Sequence, residues 1–456
     1  MKWRRSCALA LSAALLLAGV PAGAAPSEDV VDRLEAVPGL TVVGERRTEP
    51  GFRLFDLTFT QPADHREPRS ETFEQRLTLL HRDRAAPAVA HTTGYGLPSK
   101  VRRTEPTRLV DGNQVTLEHR FFATSRPDPA DWGDLDIWQA ATDQHRIIEA
   151  LKRVYRHEWI TTGASKGGMT AVYHRRFYPR DVDGTIAYVA PNDVDNDRDA
   201  YDEFLAEAGT DPACRRALVD LQREALRRRD ELTARFRAHA HAEGLTFDRI
   251  IGDIDRGLEM VVLDAPWAFW QYRGQQDCGE IPGTDANTGA IYRFLDETVE
   301  FAFYTDQGIE PYVPYYYQSG TQLGWPDVSD AHLADLLHHR DLMQPRNLVA
   351  PEIPMRFEPG RMRRIDAWVR GAGSQLMFVN GAEDPWSAEP FELGPGSEDS
   401  HSYLVPGANH GAEIAGLPAD RRAEAEAVVR RWAGVREPVR TRSEELDRRP
   451  LERRPR

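Results

Sequence analysis

The chain has 456 residues and a formal net charge of −14, with 29% charged and 41% hydrophobic residues. That length holds one large domain, or one domain carrying a sizeable insertion. The acidity argues against a nucleic-acid or anionic-membrane partner and for a soluble protein.

The N-terminus is unlike the rest. Lys2, Arg4 and Arg5 precede the apolar run Ala8 to Val20, and Ala22-Gly23-Ala24 offers a small-residue cleavage site. This is the pattern of a secretory signal peptide over residues 1–25, too short for a comfortable membrane span. The arginine pair leaves open export by the general or the twin-arginine route. Three positive charges and no acid lie in that segment, so its removal takes the net charge from −14 to −17. Cys7 leaves with it, and Cys214 and Cys278 remain. In an oxidising compartment a lone pair of cysteines most simply forms a disulfide, the alternative being two buried thiols.

Residues 51–60 and 72–81 alternate apolar and polar side chains, as antiparallel strands do. A short strand over 88–91 ends at Gly94-Tyr95-Gly96, and another covers 114–122. Residues 135–154 have helical periodicity, with Ile137, Ile147, Ile148, Leu151 and Val154 on the apolar face. A strand from Trp159 leads into Gly163-Ala164-Ser165-Lys166-Gly167-Gly168 and then a helix-compatible run to Tyr178. A further strand is expected over 184–190. The stretch 212–244 is rich in Arg, Glu, Ala and Leu and reads as long surface helices. An aromatic cluster follows over 301–323. Strand-like segments resume at 374–380 and 402–405, and 417–432 is an amphipathic helix. Residues 436–456, rich in Pro and Arg, are expected to be a disordered basic tail.

The Gly163–Gly167 segment fits the nucleophile elbow G-x-S-x-G, in which a serine is lifted from a sharp strand-to-helix turn. Side chains two residues to either side would collide, and glycine removes them. A serine nucleophile needs a base, and the base an orienter. Asp384, in Gly381-Ala382-Glu383-Asp384-Pro385-Trp386, follows one late strand. His410, in Gly407-Ala408-Asn409-His410-Gly411, follows the next. The order Ser165, Asp384, His410 is that of α/β-hydrolases. Glu383 is the alternative orienter. Oxyanion donors are expected from the backbone N–H of Lys166 and from that of Tyr95, with the Lys166 side chain free to point to solvent. Ser165 and Asp384 lie 219 positions apart, whereas two βα units need roughly 60–90 residues. The expected fold is therefore α/β, an α/β-hydrolase with a large helical cap inserted in its second half. The hydrolase parts are placed at 26–191 and 346–435, and the cap at 192–345.

Asp193-Val194-Asp195-Asn196-Asp197-Arg198 begins like a calcium loop but lacks the sixth-position glycine, and Phe204 stands where the twelfth-position Glu is required. His239, His241, His338 and His339 lack a plausible further ligand nearby. Neither a metal nor any cofactor is expected.

With these residues assembled, the chain resembles the secreted serine tripeptidyl aminopeptidases, and more distantly the lysosomal prolyl carboxypeptidase and dipeptidyl peptidase family. The resemblance rests on Gly163–Gly168, on Leu117-Glu118-His119-Arg120-Phe121-Phe122, on Gly381–Trp386 and on Ala408-Asn409-His410-Gly411, and it covers nearly the whole chain to about Gly434. Lys166 departs from the lysosomal relatives, which carry an aromatic after the serine. The resemblance implies a secreted exopeptidase that takes peptides with a free N-terminus and releases tripeptides, with proline before the cut as a further preference. An α-ammonium group needs carboxylates or carbonyls, and Glu118, Asp193, Asp195 and Asp197 are candidates beside their structural readings. A proline ring suits an aromatic pocket, for which Trp267, Trp270, Tyr315, Tyr316, Trp325 and Trp386 are candidates. An esterase or lipase with the same triad, a carboxypeptidase, and a non-catalytic peptide-binding protein stay open as alternatives.

Overall fold

The computed structural model of the chain describes residues 29–67, 69, 71–194, 199–437 and 443–448. The expected signal peptide lies outside them, as do Asp195 and Asp197. Among the described residues one sheet of nine strands organises the fold. They are β1 (Leu40–Arg46), β2 (Arg53–Pro62), β3 (Thr72–His81), β4 (Ala88–Thr92), β5 (Asn113–Leu117), β6 (Trp159–Ala164), β7 (Gly184–Tyr188), β8 (Leu376–Gly381) and β9 (His401–Val405). Their spatial order is β1-β2-β3-β5-β4-β6-β7-β8-β9. β1, β2, β3 and β5 pair antiparallel in succession, and every pairing from β5 to β9 through β4 is parallel. Setting β1 aside, the remaining eight follow the α/β-hydrolase order, with the elbow at the end of the fifth.

The helices are α1 (Val30–Glu35), α2 (Glu105–Val110), α3 (Ile137–Leu151), α4 (Lys166–Phe177), α5 (Tyr201–Glu207), α6 (Pro212–Arg227), α7 (Arg229–Glu243), α8 (Ile254–Tyr272), α9 (Thr288–Thr298), α10 (Asp306–Ile309), α11 (Val313–Gln318), α12 (Arg361–Ala372) and α13 (Ala419–Trp432). Strand alternation sorts the sheet's side chains between two helical layers. Ala88 and Ala90 pack with Ile147, Ile148 and Leu151 of α3, whereas Val89 packs with Val428, Val429 and Trp432 of α13. Covered on both faces, β5 to β8 are buried along their whole length except for Ala164 at the elbow. His91, on β4, is half-buried.

Between β7 and β8 the chain builds a helical body with its own core. Its helices are not merely superficial: Leu218, Leu221, Leu226, Leu232 and Phe236 of α6 and α7 are buried. Pro266 interrupts the hydrogen-bond ladder of α8, because it has no N–H to give the carbonyl four residues back. Gln222 of α6 supplies the missing donor, its Nε2 lying 2.9 Å from Val262 O. Cys214 and Cys278 are joined by a disulfide, with Cα atoms 5.3 Å apart.

Within the expected disordered tail of 436–456, the described residues 443–448 depart from that expectation. Residues 443–448 are docked against the hydrolase body. Leu446 is buried with Leu54, Leu80 and Val101. Asp447 forms a bidentate pair at 2.7 Å with Arg103, whose side chain is fully buried. The charges that resemble a solvated tail in sequence here meet their complements.

Candidate active site

Ser165 sits between β6 and α4 with φ 55° and ψ −130°, the strained backbone of an elbow. Its N–H donates to Tyr188 O at 2.9 Å, and its own carbonyl accepts from Met169 N at 3.0 Å. The glycines around it are required by distance. A Cβ on Gly163 would fall 2.4 Å from the Gly167 carbonyl, and one on Gly167 would fall 2.3 Å from Thr92 O. Gly94, with φ +72°, approaches so closely that its Cβ would lie 2.5 Å from Gly167 N. The loop after β4 is thereby pressed against the N-terminus of α4, where the first N–H groups have no partner within the helix.

The Lys166 side chain does not point to solvent. It is buried, its Nζ donates to Gly94 O at 2.7 Å, and the ammonium lies 5.7 and 5.5 Å from the Tyr95 and Phe122 ring centroids. A buried ammonium needs acceptors and π faces, and here it ties the loop to the elbow. The same charge, after burial, holds His119 well below the usual histidine range. Tyr95 N–H lies 3.1 Å from Thr93 Oγ1, so the expected second oxyanion donor is already engaged and serves only if that contact yields.

Asp384 is fully buried at the end of β8 and meets His410 Nδ1 at 2.9 Å through Oδ2. With Nδ1–H donated to the carboxylate, the Nε2 lone pair can accept a proton. Trp386 N also donates to Asp384 Oδ1 at 3.2 Å. Glu383 faces elsewhere: its Oε2 lies beside Gly274 and Gln275 of the helical body. Gly381 lets the acid and histidine loops close together, since a Cβ there would stand 2.4 Å from Asn409 O. The helical body also grips the histidine loop. His410 N donates to Gln271 O at 3.1 Å, and Asn409 Nδ2 to Arg273 O at 3.0 Å, both at the end of α8. His410 and the elbow residues Gly163 and Ala164 line one cavity of about 250 Å³.

One buried side chain behind the site escaped sequence reasoning. Glu105, the first residue of α2, accepts from Ile414 N at 2.7 Å, Ala415 N at 2.8 Å and the Tyr188 hydroxyl at 3.0 Å. It thus joins the strand end behind Ser165 to the segment just after His410. Burial, with Glu413 nearby, pushes its pKa up to about 7 despite those donors. An acid opening a helix carries no signal of so remote a contact.

Glu118, a sequence candidate for the α-ammonium, has its carboxylate engaged by partners of the fold. Its buried carboxylate accepts from Ser125 Oγ at 2.7 Å and Leu97 N at 2.9 Å, with Arg76 at 3.6 Å. The adjoining Arg120 pairs with Asp143 at 2.7 and 2.9 Å. The Glu118–Phe122 segment is therefore scaffold for the loop after β4. Trp386 is close to the chemistry: its ring centroid is 6.4 Å from that of His410, 4.9 Å from Trp267 and 6.1 Å from Trp325. Tyr315 contacts Tyr95 at 5.5 Å and Tyr316 at 5.1 Å. Trp270 packs on Phe269 within the helical body. Among the described residues Asp255, Glu259 and His338 bring three ligand atoms together. Arg229 already pairs with both carboxylates at 2.5 Å, which fits a structural ion cluster and not a metal cage. His239 and His241 lie on α7 outside that group.

The PS-10 peptidase S37 family profile matches residues 24–454. The chain is 50% identical over 444 residues to the prolyl tri/tetrapeptidyl aminopeptidase of Streptomyces mobaraensis, spanning 95% of this chain and 92% of that protein. It is 33% identical over 122 residues to prolyl carboxy peptidase like protein 5 of Caenorhabditis elegans, spanning 23% of this chain and 24% of that one. Acetyl xylan esterase 1 from Thermoanaerobacterium sp. aligns at a TM-score of 0.35 and 10% identity over 88% of this chain and 90% of that one. The strand order, not that overlap, carries the fold. Among the described residues no helix is long and apolar enough to cross a membrane. A serine elbow on an α/β-hydrolase sheet and a full-length profile match agree: the chain is a serine peptidase and belongs to the PS-10 peptidase S37 family.

Proposed function

We propose that this protein is a secreted serine exopeptidase releasing tripeptides from free N-termini, with proline favoured before the cut. The observation that carries the reading is the 2.9 Å contact from His410 Nδ1 to buried Asp384, reached in the order expected after an elbow serine. His410 Nε2 takes the Ser165 proton as Oγ attacks the scissile carbonyl. Asp384 holds the ring and stabilises the imidazolium. The Lys166 N–H at the helix start supports the oxyanion, and Tyr95 N–H becomes the second donor once it leaves Thr93 Oγ1. His410 then protonates the leaving amine, and water releases the acyl-enzyme. The substrate preference draws on the relative named for prolyl tri/tetrapeptidyl cleavage. Secretion draws on the signal-like residues 1–25.

Residues 192–345 act as a cap over the hydrolase body of 26–191 and 346–435, excluding folded protein and admitting chain ends. The cap grips the histidine loop through Gln271 and Arg273, so its position and the base's position are coupled. A fluorophosphonate probe followed by peptide mapping tests the chemistry. The modification is expected on Ser165 and is lost in Ser165→Ala. Labelling elsewhere, or none in an active preparation, would sink the assignment.

A further inference from the structure

An acyl tripeptide is short and can be enclosed, but the chain downstream of the cut has any length and needs an open route. The cavity of about 250 Å³ beside the triad offers one. It is lined by His410 and Gly411 and by Ala164, the exposed residue just before Ser165. Its other walls are the loop after β4, the start of α2 and Arg448 of the docked C-terminal segment. Among the described residues none of 192–345 lines it, so the cap leaves it uncovered. It is small beside ordinary ligand pockets of about 300–1,000 Å³, and suits a short stretch of chain on its way out.

The lining is basic, and its acids are already answered. Glu413 pairs with Arg108 at 3.1 Å. Glu105 accepts from two backbone N–H groups and the Tyr188 hydroxyl. Arg103 is held between Asp447 and Asp111, at 2.7 and 3.0 Å. Lys100, Arg102 and Arg448 are left over, and among the described residues none of the three forms an ion pair. Lys100 and Arg448 are exposed. Arg102 is half-buried: its Nη1 donates to Glu445 O, while its Nε is buried without an acceptor. A charged donor left bare in this way is costly, and an anion would relieve it. We infer that this cavity receives the peptide downstream of the cut and selects a carboxylate there, on a side chain or at the leaving peptide's C-terminus.

Resting on the serine exopeptidase reading, this subsite extends it to the leaving group. The proton fixes the side. His410 hands its proton to the leaving amine, so that amine and the chain behind it lie against the imidazole and close to Ser165. The cavity meets both conditions, because His410 and Ala164 share its wall. The charge fixes the class. Three cations without counter-ions attract a carboxylate and repel a lysine or arginine side chain, and a guanidinium with a bare Nε is suited to a carboxylate oxygen.

The test uses the full-length protein and pentapeptides that share one tripeptide with a free N-terminus and a terminal proline. The last residue is glutamate, glutamine or lysine as the C-terminal amide, with the glutamine peptide also made as the free acid. Release of the tripeptide is expected with kcat/KM in the order glutamate, glutamine, lysine, the first ahead of the last by about tenfold or more at low salt. The gap should shrink in about 1 M salt, where exposed charges are screened. Lys100→Glu with Arg448→Glu alters two exposed side chains and is expected to lower the glutamate-to-lysine ratio by about tenfold or more, mainly through KM. A ratio between two substrates is insensitive to a general loss of folded enzyme. Faster cleavage of the free acid than of its amide, lost in the same variant, identifies the C-terminal carboxylate as a ligand as well. If the wild type releases the tripeptide from every peptide at similar rates, or if its preference survives both charge reversals, the subsite is refuted while the exopeptidase reading stands. If no tripeptide appears from any of them, that reading falls, and the subsite with it.

Discussion

Replacing Glu105 by glutamine offers a quantitative check on how the histidine loop is held. In the fold its carboxyl is buried against two backbone N–H groups and the Tyr188 hydroxyl, and desolvation with Glu413 raises its pKa from 4.5 to about 7. Glu413 is itself paired with Arg108 at 3.1 Å. A folded value above the unfolded one means that the native state binds the proton more tightly. The stability tied to this group is therefore complete below about pH 4.5 and is lost as pH rises through 7. Each tenfold in proton affinity is worth about 1.4 kcal/mol, so the full loss is about 3 kcal/mol. Glutamine keeps an acceptor oxygen and cannot ionise. Urea unfolding of both proteins from pH 4.5 to 8.5 should show the wild type losing about 3 kcal/mol more than Glu105→Gln across that range. Curves that run parallel would mean that Glu105 is not buried beside this loop as described.

Other consequences follow from the same geometry. Asp384→Asn should lower kcat by about 10³–10⁴-fold with little change in KM, because Nδ1 loses its acceptor and the wrong tautomer is favoured. Steady-state kinetics on one chromogenic peptide reads this out. Gly167→Ala places a methyl 2.3 Å from Thr92 O, and overpacking of this kind should destabilise by about 1–3 kcal/mol or more and abolish activity. A thermal melt with an activity assay measures both. Converting Cys214 and Cys278 to alanine together opens a loop with a sequence separation of 64, for which the chain-entropy model gives a loss of about 4 kcal/mol in denaturant unfolding. Truncation after residue 442 removes buried Leu446 and strands Arg103 without its Asp447 partner. A loss of about 2–4 kcal/mol is expected, where a truly unstructured tail would cost nothing.

Residues whose role is fixed by local stereochemistry were legible in the sequence. The elbow glycines are such a case: Gly163 and Gly167 face each other across one turn, so spacing alone announces them. Asp384 and His410 were legible because each follows a recognisable strand at the sheet edge where α/β folds gather their chemistry. The strap over 443–448 was not. Its sequence looks like a solvated charge run, and only the fold brings Arg103 and Glu49 to meet it. Glu118 is ambiguous for a related reason. A buried acid near a catalytic loop has the same appearance whether it waits for substrate or already holds Ser125 and Leu97 N–H. Lys166 follows the serine, a position that in sequence reads as solvent-exposed, but Gly94 O and two aromatic faces draw it inward. Glu105 and the α8 carbonyls that hold the histidine loop are contacts between elements far apart in the chain. No periodicity encodes them.

The most direct test of the central claim is mass spectrometry of the products from two matched peptides, one with a free N-terminus and one acetylated, with wild-type and Ser165→Ala protein. The account predicts a tripeptide from the free peptide, little or none from the acetylated one, and none from either with the variant. Loss of single C-terminal residues from both peptides, or cleavage that survives Ser165→Ala, would contradict it.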